Sequence, residues 1–241
     1  RCKVIRTKAL YVPNWHKKIS KEIKVMKKIE RLQKLSLSEA EVFLTGLVGE
    51  DKAKLFFEEE QTTVKLKDVQ VGSFIKYGGI EWVVLDKSEA DALVLSKSCL
   101  FNKAFDESNC NNWETSSLRK AMNAIDGKGR FKLKEFAGIN ADDLVPIRRN
   151  LLTDDGMPDY GDCEDKITIY TAEEYRRYRK YIPNAEKWHW TITGDSLVYS
   201  SYVRYVNSDG TLDCNDAYDD RGGVRPLCIL KSEILVELCG G

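Results

Sequence analysis

Ser73-Phe74-Ile75-Lys76-Tyr77-Gly78-Gly79-Ile80-Glu81-Trp82-Val83-Val84-Leu85 is the stretch that decides the fold class. Apolar and aromatic residues fill two short runs, and Gly78-Gly79 between them suits a two-residue turn, where both positions need positive φ. The reading is a hairpin of Ser73 to Tyr77 with Ile80 to Leu85, and Ala92 to Ser96 adds a third strand. Further along, Glu114 to Ile125 reads as a helix opened by Thr115 or Ser116, with Leu118, Met122 and Ile125 facing inward. Asp126 to Asp165 reads as loops with short helical pieces. Ile167 to Tyr170 is expected as a strand, and Thr171 with Glu174 as the capping box of a helix from Ala172 to Ile182. Trp188 to Ile192, Tyr202 to Asn207 and Val224 to Leu230 are the last expected strands, before a short tail from Ile234 to Leu238. Strands at both ends and two main helices between them make an α+β layout of antiparallel sheets, not a βαβ repeat.

Toward the N-terminus the pattern changes near residue 62. His16 to Leu35 carries Ile19, Ile23, Met26, Ile29 and Leu32 at three- and four-residue spacing, an amphipathic helix. Ser38 with Glu41 caps a second helix, and Asp51 to Glu60 reads as a third. Residues 1–61 are therefore expected as a helical segment, either a stalk that makes a homo-oligomer or an appendage packed on residues 62–241. The apolar stripe is short for a coiled coil.

Composition narrows the function classes. With 42% hydrophobic residues in 241, a sizeable core is available. The 38 basic and 38 acidic residues cancel, which argues against nucleic acid or an anionic membrane as a general partner. No apolar run is long enough to insert in a membrane. Seven dispersed cysteines without a CxxC pair favour a reducing cytoplasm or a phage virion over secretion, although a chain starting at Arg1 leaves localisation open. With two histidines in unrelated contexts, no zinc site and no cofactor is expected.

A second anomaly lies near the C-terminus. Ile192 to Leu230 contains no Lys, Glu, Gln, Met or Trp, although these types supply 55 of the 241 residues. Randomising both adenines of an Asn codon that ends in a pyrimidine makes those same five residues unreachable. The stretch is rich in Tyr, Ser, Asn, Asp and Gly, a mixture in which stiff aromatic area is combined with adaptable hydrogen bonding. Its candidate ligand-binding residues are Tyr199, Ser200, Ser201, Tyr202 and Arg204, then Asp213, Cys214, Asn215, Asp216, Tyr218, Asp219, Asp220, Arg221 and Gly222. Strand alternation predicts that Val203 and Val206 point inward and that Tyr202, Arg204 and Tyr205 are not all exposed.

Several blocks together carry a family resemblance: Val71-Gly72-Ser73-Phe74, Ile80 to Leu85, Trp113-Glu114-Thr115-Ser116-Ser117-Leu118-Arg119, Asp165-Lys166-Ile167, Tyr205 to Gly210, and Gly223-Val224-Arg225-Pro226. Over about residues 64 to 235 the chain resembles a bacterial and phage domain of unassigned function with a C-type-lectin-like fold. Within that fold it resembles variable proteins of diversity-generating retroelements. The resemblance implies a fixed scaffold with a diversified C-terminal surface for a protein or glycan ligand. It also makes the Ser208-Asp209-Gly210 turn and the Val224-Arg225-Pro226-Leu227 strand parts of the scaffold.

Other readings stay open. Asn207 to Gly223 also fits a plain polar hairpin of fixed sequence in a structural or phage-associated domain. Asp213, Asp216, Asp219 and Asp220 could hold calcium, although their spacing matches no known loop. The fold also resembles that of formylglycine-generating enzymes, which work through closely spaced cysteines. Cys214 and Cys228 are too far apart in sequence to suggest that chemistry. His189 between Trp188 and Trp190 reads as part of a buried aromatic cluster rather than as a base, and Arg225 as a buried anchor.

Overall fold

The computed structural model describes residues 63–239. The three expected N-terminal helices lie outside the described residues.

Gly78 and Gly79 take φ values of 61° and 81°, which only glycine adopts at low cost, and they turn β2 (Phe74–Tyr77) into β3 (Ile80–Lys87). A Cβ on Gly78 would stand 2.9 Å from the Gly138 carbonyl oxygen, so packing also demands glycine there. The register pairs Ile75 with Trp82 and Tyr77 with Ile80. β4 (Asp91–Ser96) continues the meander. Together with β1 (Thr63–Lys65), β6 (Leu144–Val145), β13 (Leu227–Lys231) and β14 (Leu235–Leu238), these form a seven-stranded antiparallel sheet in the order β1-β14-β2-β3-β4-β13-β6.

Trp82-Val83-Val84-Leu85 is apolar at every position because this sheet is covered on both faces. Trp82 and Val84 join one core; Val83 and Leu85 join the other. β13 alternates in the same way, Cys228 and Leu230 to the first and Leu227 to the second. The first core fills the space toward a second sheet and toward α1 (Ser117–Met122), which supplies Leu118 and Met122. The second is closed by Tyr170 and by Tyr175 of α2 (Ala172–Tyr178).

The second sheet has the order β11-β10-β9-β12-β5, built from β5 (Phe101–Asn102), β9 (His189–Gly194), β10 (Tyr202–Val206), β11 (Leu212–Asp216) and β12 (Gly223–Val224). Only the β12–β9 contact is parallel. The described residues are thus mainly antiparallel sheet with two α-helices, as the sequence pattern predicts at that level.

Four expectations need correction. Val224 to Leu230 is not one strand: the chain leaves the second sheet after Val224 and enters the first at Leu227. Pro226 has no N–H for a ladder, so the crossover falls there. Ile167 to Tyr170 is a buried connector rather than a strand, exchanging one pair of hydrogen bonds between Thr168 and Leu227. The helix expected from Glu114 is a 3-10 turn, Trp113–Thr115, followed by α1 capped by Ser116; it stops where the Asn123 side chain turns to bond Lys166 N, Ile167 N and Ile167 O. The region read as loops contains a hairpin, β7 (Ile147–Asn150) with β8 (Asp162–Asp165). The capping box at Thr171 and Glu174 is present, although α2 ends at Tyr178.

Candidate functional site

β10 and β11 pair from Tyr202↔Asp216 to Val206↔Leu212. Their connecting turn docks on α2, where the Tyr175 hydroxyl donates to Gly210 O at 2.7 Å and a Cβ on Gly210 would strike Arg179. The hairpin tip is therefore scaffold. The exposed surface lies at the other end, where residues 195–201 lead into β10 and residues 217–222 leave β11.

Both loops are held through their main chains. Asn111, itself buried, donates its side-chain amide to Ser196 O at 3.0 Å, Tyr202 O at 2.9 Å and Tyr199 O at 3.3 Å, and its backbone N–H to Ser200 O at 2.7 Å. Its Oδ1 accepts from the Tyr160 hydroxyl at 2.6 Å. The second loop is bound by the same segment: Asp106 N–H donates to Ala217 O, Lys103 N–H to Gly222 O, and Asn109 Oδ1 accepts from Tyr218 N–H. Asn109 takes the left-handed conformation, φ 58°, that asparagine tolerates better than most residues. Asp106 fixes the segment by accepting from Ser108, Cys110 and Ser117 N–H groups. The two loops also join directly, Ala217 N–H to Ser201 O at 2.7 Å.

Because these bonds use backbone atoms of the loops, their outer side chains are left free. Of the eight large hydrophobic residues exposed among the described residues, Val198 (85%), Tyr199 (61%), Tyr202 (37%) and Tyr218 (58%) lie on these loops or at the start of β10. Leu152 and Met157 are exposed on the neighbouring segment whose Asp154 N–H donates to Gly194 O.

The sequence-predicted residues divide by environment. Tyr199, Ser200, Tyr202, Asp213, Tyr218, Asp220 and Arg221 are exposed, and Ser201, Cys214, Asn215 and Asp216 are half-buried. Arg204 is tucked between Asp154 Oδ2 at 3.3 Å and Asp195 Oδ1 at 3.5 Å, with Nε outside hydrogen-bond geometry. Asp219 is nearly covered; its bonds from Arg221, and then from Asn215, hold its carboxyl far below the usual range against the opposing effect of burial. Gly222 is buried against Trp190 and presents no surface. Val203 and Val206 are buried as alternation from their neighbours suggests, but in different cores, since they lie on opposite faces of β10. Sequence reasoning missed Asn111, Tyr160 and Val198; the polar run Ser108-Asn109-Cys110-Asn111-Asn112 was the available signal.

The four carboxylates considered for calcium do not converge, and among the described residues no three His, Cys, Asp or Glu side chains are placed to hold a metal ion. The six described cysteines are free thiols. Burial pushes Cys99, Cys163 and Cys214 up, Cys163 to about 11, which disfavours thiolate. Cys228 lies in the first sheet and Cys214 in the second. His189 is buried, with Nε2 against the Tyr170 hydroxyl and Nδ1 near Lys187 O; burial first, then Arg225, pushes it down to about 3. Trp188, Trp190 and Tyr205 pack on one another, whereas the ring beside His189 is that of Tyr170, so His189 is buried as expected but not among the tryptophans that flank it in sequence. Arg225 is fully buried and donates to the carbonyls of Ser96, Lys97 and Pro183 without a carboxylate partner.

An open cleft of about 540 Å³ lies between the β7–β8 hairpin and α2. Its charged groups are matched: Arg149 pairs with Glu174, Arg148 with Asp162 and Arg176 with Asp154, although Arg149 Nε has no partner.

A mainly antiparallel domain of two larger sheets and a separate hairpin, carrying a loop surface over a main-chain cradle, is the class these features define. Residues 158–232 match a family model described as a domain of unknown function (DUF6273), a span that includes α2 and both loops. No curated protein and no solved structure gives a significant match to the chain.

Proposed function

We propose that residues 63–239 form a C-type-lectin-like recognition domain, non-enzymatic, whose loops at residues 195–204 and 213–221 display a diversified ligand-binding surface of the retroelement variable-protein kind. The observation that carries this reading is the division of labour in the loops. Backbone atoms hold their shape from outside, while Tyr199, Tyr202 and Tyr218 project into solvent. Such an arrangement tolerates exchange of the outer side chains without loss of the fold, and exposed tyrosines are effective contact residues. The lectin-like assignment is supported by the pairing of the first described strand with the last, β1 with β14, by two helices packed on opposite cores, and by long loops on the second sheet.

One test bears on it directly. Sequencing around the 3′ end of the gene should reveal a near-identical repeat that differs at adenines, beside a reverse transcriptase gene. Absence of that repeat removes diversification and leaves the alternative, a lectin-like domain of fixed sequence with a structural or phage-associated role. An enzyme of the formylglycine-generating kind is disfavoured by thiols pushed up by burial and by the separation of Cys214 and Cys228 on different sheets.

A further inference from the structure

We propose that Asp213 and Asn215 latch the open edge of the second sheet, holding the N–H groups through which β11 would otherwise pair with β11 of a second copy of the chain. Among the described residues, β11 is the longest edge strand of the two larger sheets, with five residues, whereas β1, β5 and β6 at the other edges have two or three. A long free edge is a template for strand addition. Hydrogen bonds identify its outward side. Ala217 N–H donates to Ser201 O, and Asn207 N–H to Thr211 O, so the odd-numbered residues of this stretch face β10. On β10 the even-numbered carbonyls turn the other way, Tyr202 O accepting from Asp195 N–H and Arg204 O from the Thr191 hydroxyl. With Val203 opposite Asn215 and Tyr205 opposite Asp213, the backbone groups of Leu212, Cys214 and Asp216 point away from the sheet.

Two of those three N–H groups are occupied by the side chain of the preceding residue. Asp213 Oδ1 accepts from Cys214 N–H at 2.8 Å, and Asn215 Oδ1 from Asp216 N–H at 3.0 Å. Each latch is braced from a second side. Tyr205 hydrogen-bonds the Asp213 carboxyl, while Asn215 Nδ2 donates to Asp219 Oδ2 at 2.9 Å, an oxygen that Arg221 also holds. Charge alone would not keep two copies apart. A symmetric antiparallel pair centred on Cys214 sets Leu212 against the partner's Asp216 and Asp213 against the partner's Asn215, so no two carboxylates stand directly opposed. Such a pair draws on the outward N–H groups of Leu212, Cys214 and Asp216 in each copy, and the latches withhold the last two. Asp213 and Asn215 then serve the sheet edge rather than a ligand.

The test is sedimentation velocity of the full chain over a range of concentrations, under reducing conditions. Wild type is compared with Asp213→Ala/Asn215→Ala, with the same pair plus Cys214→Pro, and with Asp213→Asn, each first shown to melt cooperatively. The double variant is expected to move toward about twice the wild-type mass as concentration rises. Cys214→Pro removes the central outward donor and should return it to the wild-type mass. Asp213→Asn makes the same change of charge with both latches kept, and should match the wild type. Amide exchange gives a second reading: in the dilute double variant, Cys214 and Asp216 N–H should exchange roughly tenfold faster than in wild type. A double variant with the wild-type mass at every concentration would overturn the proposal, as would unchanged exchange at Cys214 and Asp216. Association that survives Cys214→Pro would place the contact elsewhere, and association of Asp213→Asn would assign the effect to charge; either outcome sinks the latch.

Discussion

The indole nitrogen of Trp190 occupies the space in which a side chain on Gly222 would begin. Trp190 Nε1 donates to Lys103 O at 3.0 Å, and Lys103 N–H donates to Gly222 O, so the indole, the cradle and the loop end are tied as one unit. Gly222 therefore belongs to the scaffold although its neighbours Asp220 and Arg221 are exposed.

Gly222→Ala should lower stability by about 1–3 kcal/mol, because the added methyl forces Trp190 or the loop to move. Arg221→Ala, one residue earlier, removes an exposed side chain and should cost less. Denaturant unfolding of the two variants checks this; equal losses would show that the Trp190 contact is relieved without cost.

Asn111 anchors one loop through four carbonyls. Asn111→Ala removes three of these bonds, leaving Ser196 O without a donor while Tyr199 O and Tyr202 O keep the N–H groups of Tyr202 and Asp195, and should destabilise by about 1–3 kcal/mol, with faster amide exchange concentrated at residues 195–202. Tyr160→Phe removes only the bond to Asn111 Oδ1 and should have a smaller effect of the same kind. Uniform exchange across the domain in the Asn111 variant would contradict the anchor role.

Tyr199→Ala and Tyr218→Ala should each change stability by less than about 0.5 kcal/mol, since both rings are exposed and their backbones are held by other residues. Thermal melts of the single and double variants measure it. A large loss would mean that these rings support the loops.

Stability should fall as pH drops below 6.5. His189 is pushed down to about 3 in the folded state, against an ordinary value of 6.5. In that window the unfolded chain takes up a proton that the folded chain refuses, so stability rises with pH, with a slope approaching about 1.4 kcal/mol per unit. His189→Gln should flatten the dependence between about pH 6.5 and pH 5, above the range of most carboxylates. Denaturation midpoints at several pH values compare the two chains; parallel curves would assign the slope elsewhere.

The hairpin at Gly78-Gly79 and the capping box at Thr171 and Glu174 were legible because local chemistry specifies them. Ile80 to Leu85 was legible as a strand, while its burial on both faces follows from packing that the local pattern does not specify. The split at Arg225-Pro226 was harder to read: apolar residues continue on either side, and the change of sheet depends on which distant strand receives each half. Ile167 to Tyr170 looked like a strand since complete burial, not pairing, selects its apolar character. At the candidate surface, composition marked two loops that the fold brings together but not the facing of each residue. Gly222 and Arg204 turn inward because of Trp190 and Asp154, partners that local sequence pattern does not reveal, while Asp219 is covered where it accepts from Asn215 and from the exposed Arg221. Asn111 was missed for the same cause, its partners lying 85 to 91 residues away.

Thr63 at the start of β1 stands opposite Glu237 near the end of β14. A chain that enters and leaves the sheet side by side is opened by tension like a zipper, one rung at a time from Thr63, while the seven-stranded sheet beyond stays loaded only after those rungs part. Its ends would yield before the loops at residues 195–201 and 217–222 feel any pull, so a load applied at those loops and a load along the chain would act on different parts of the domain.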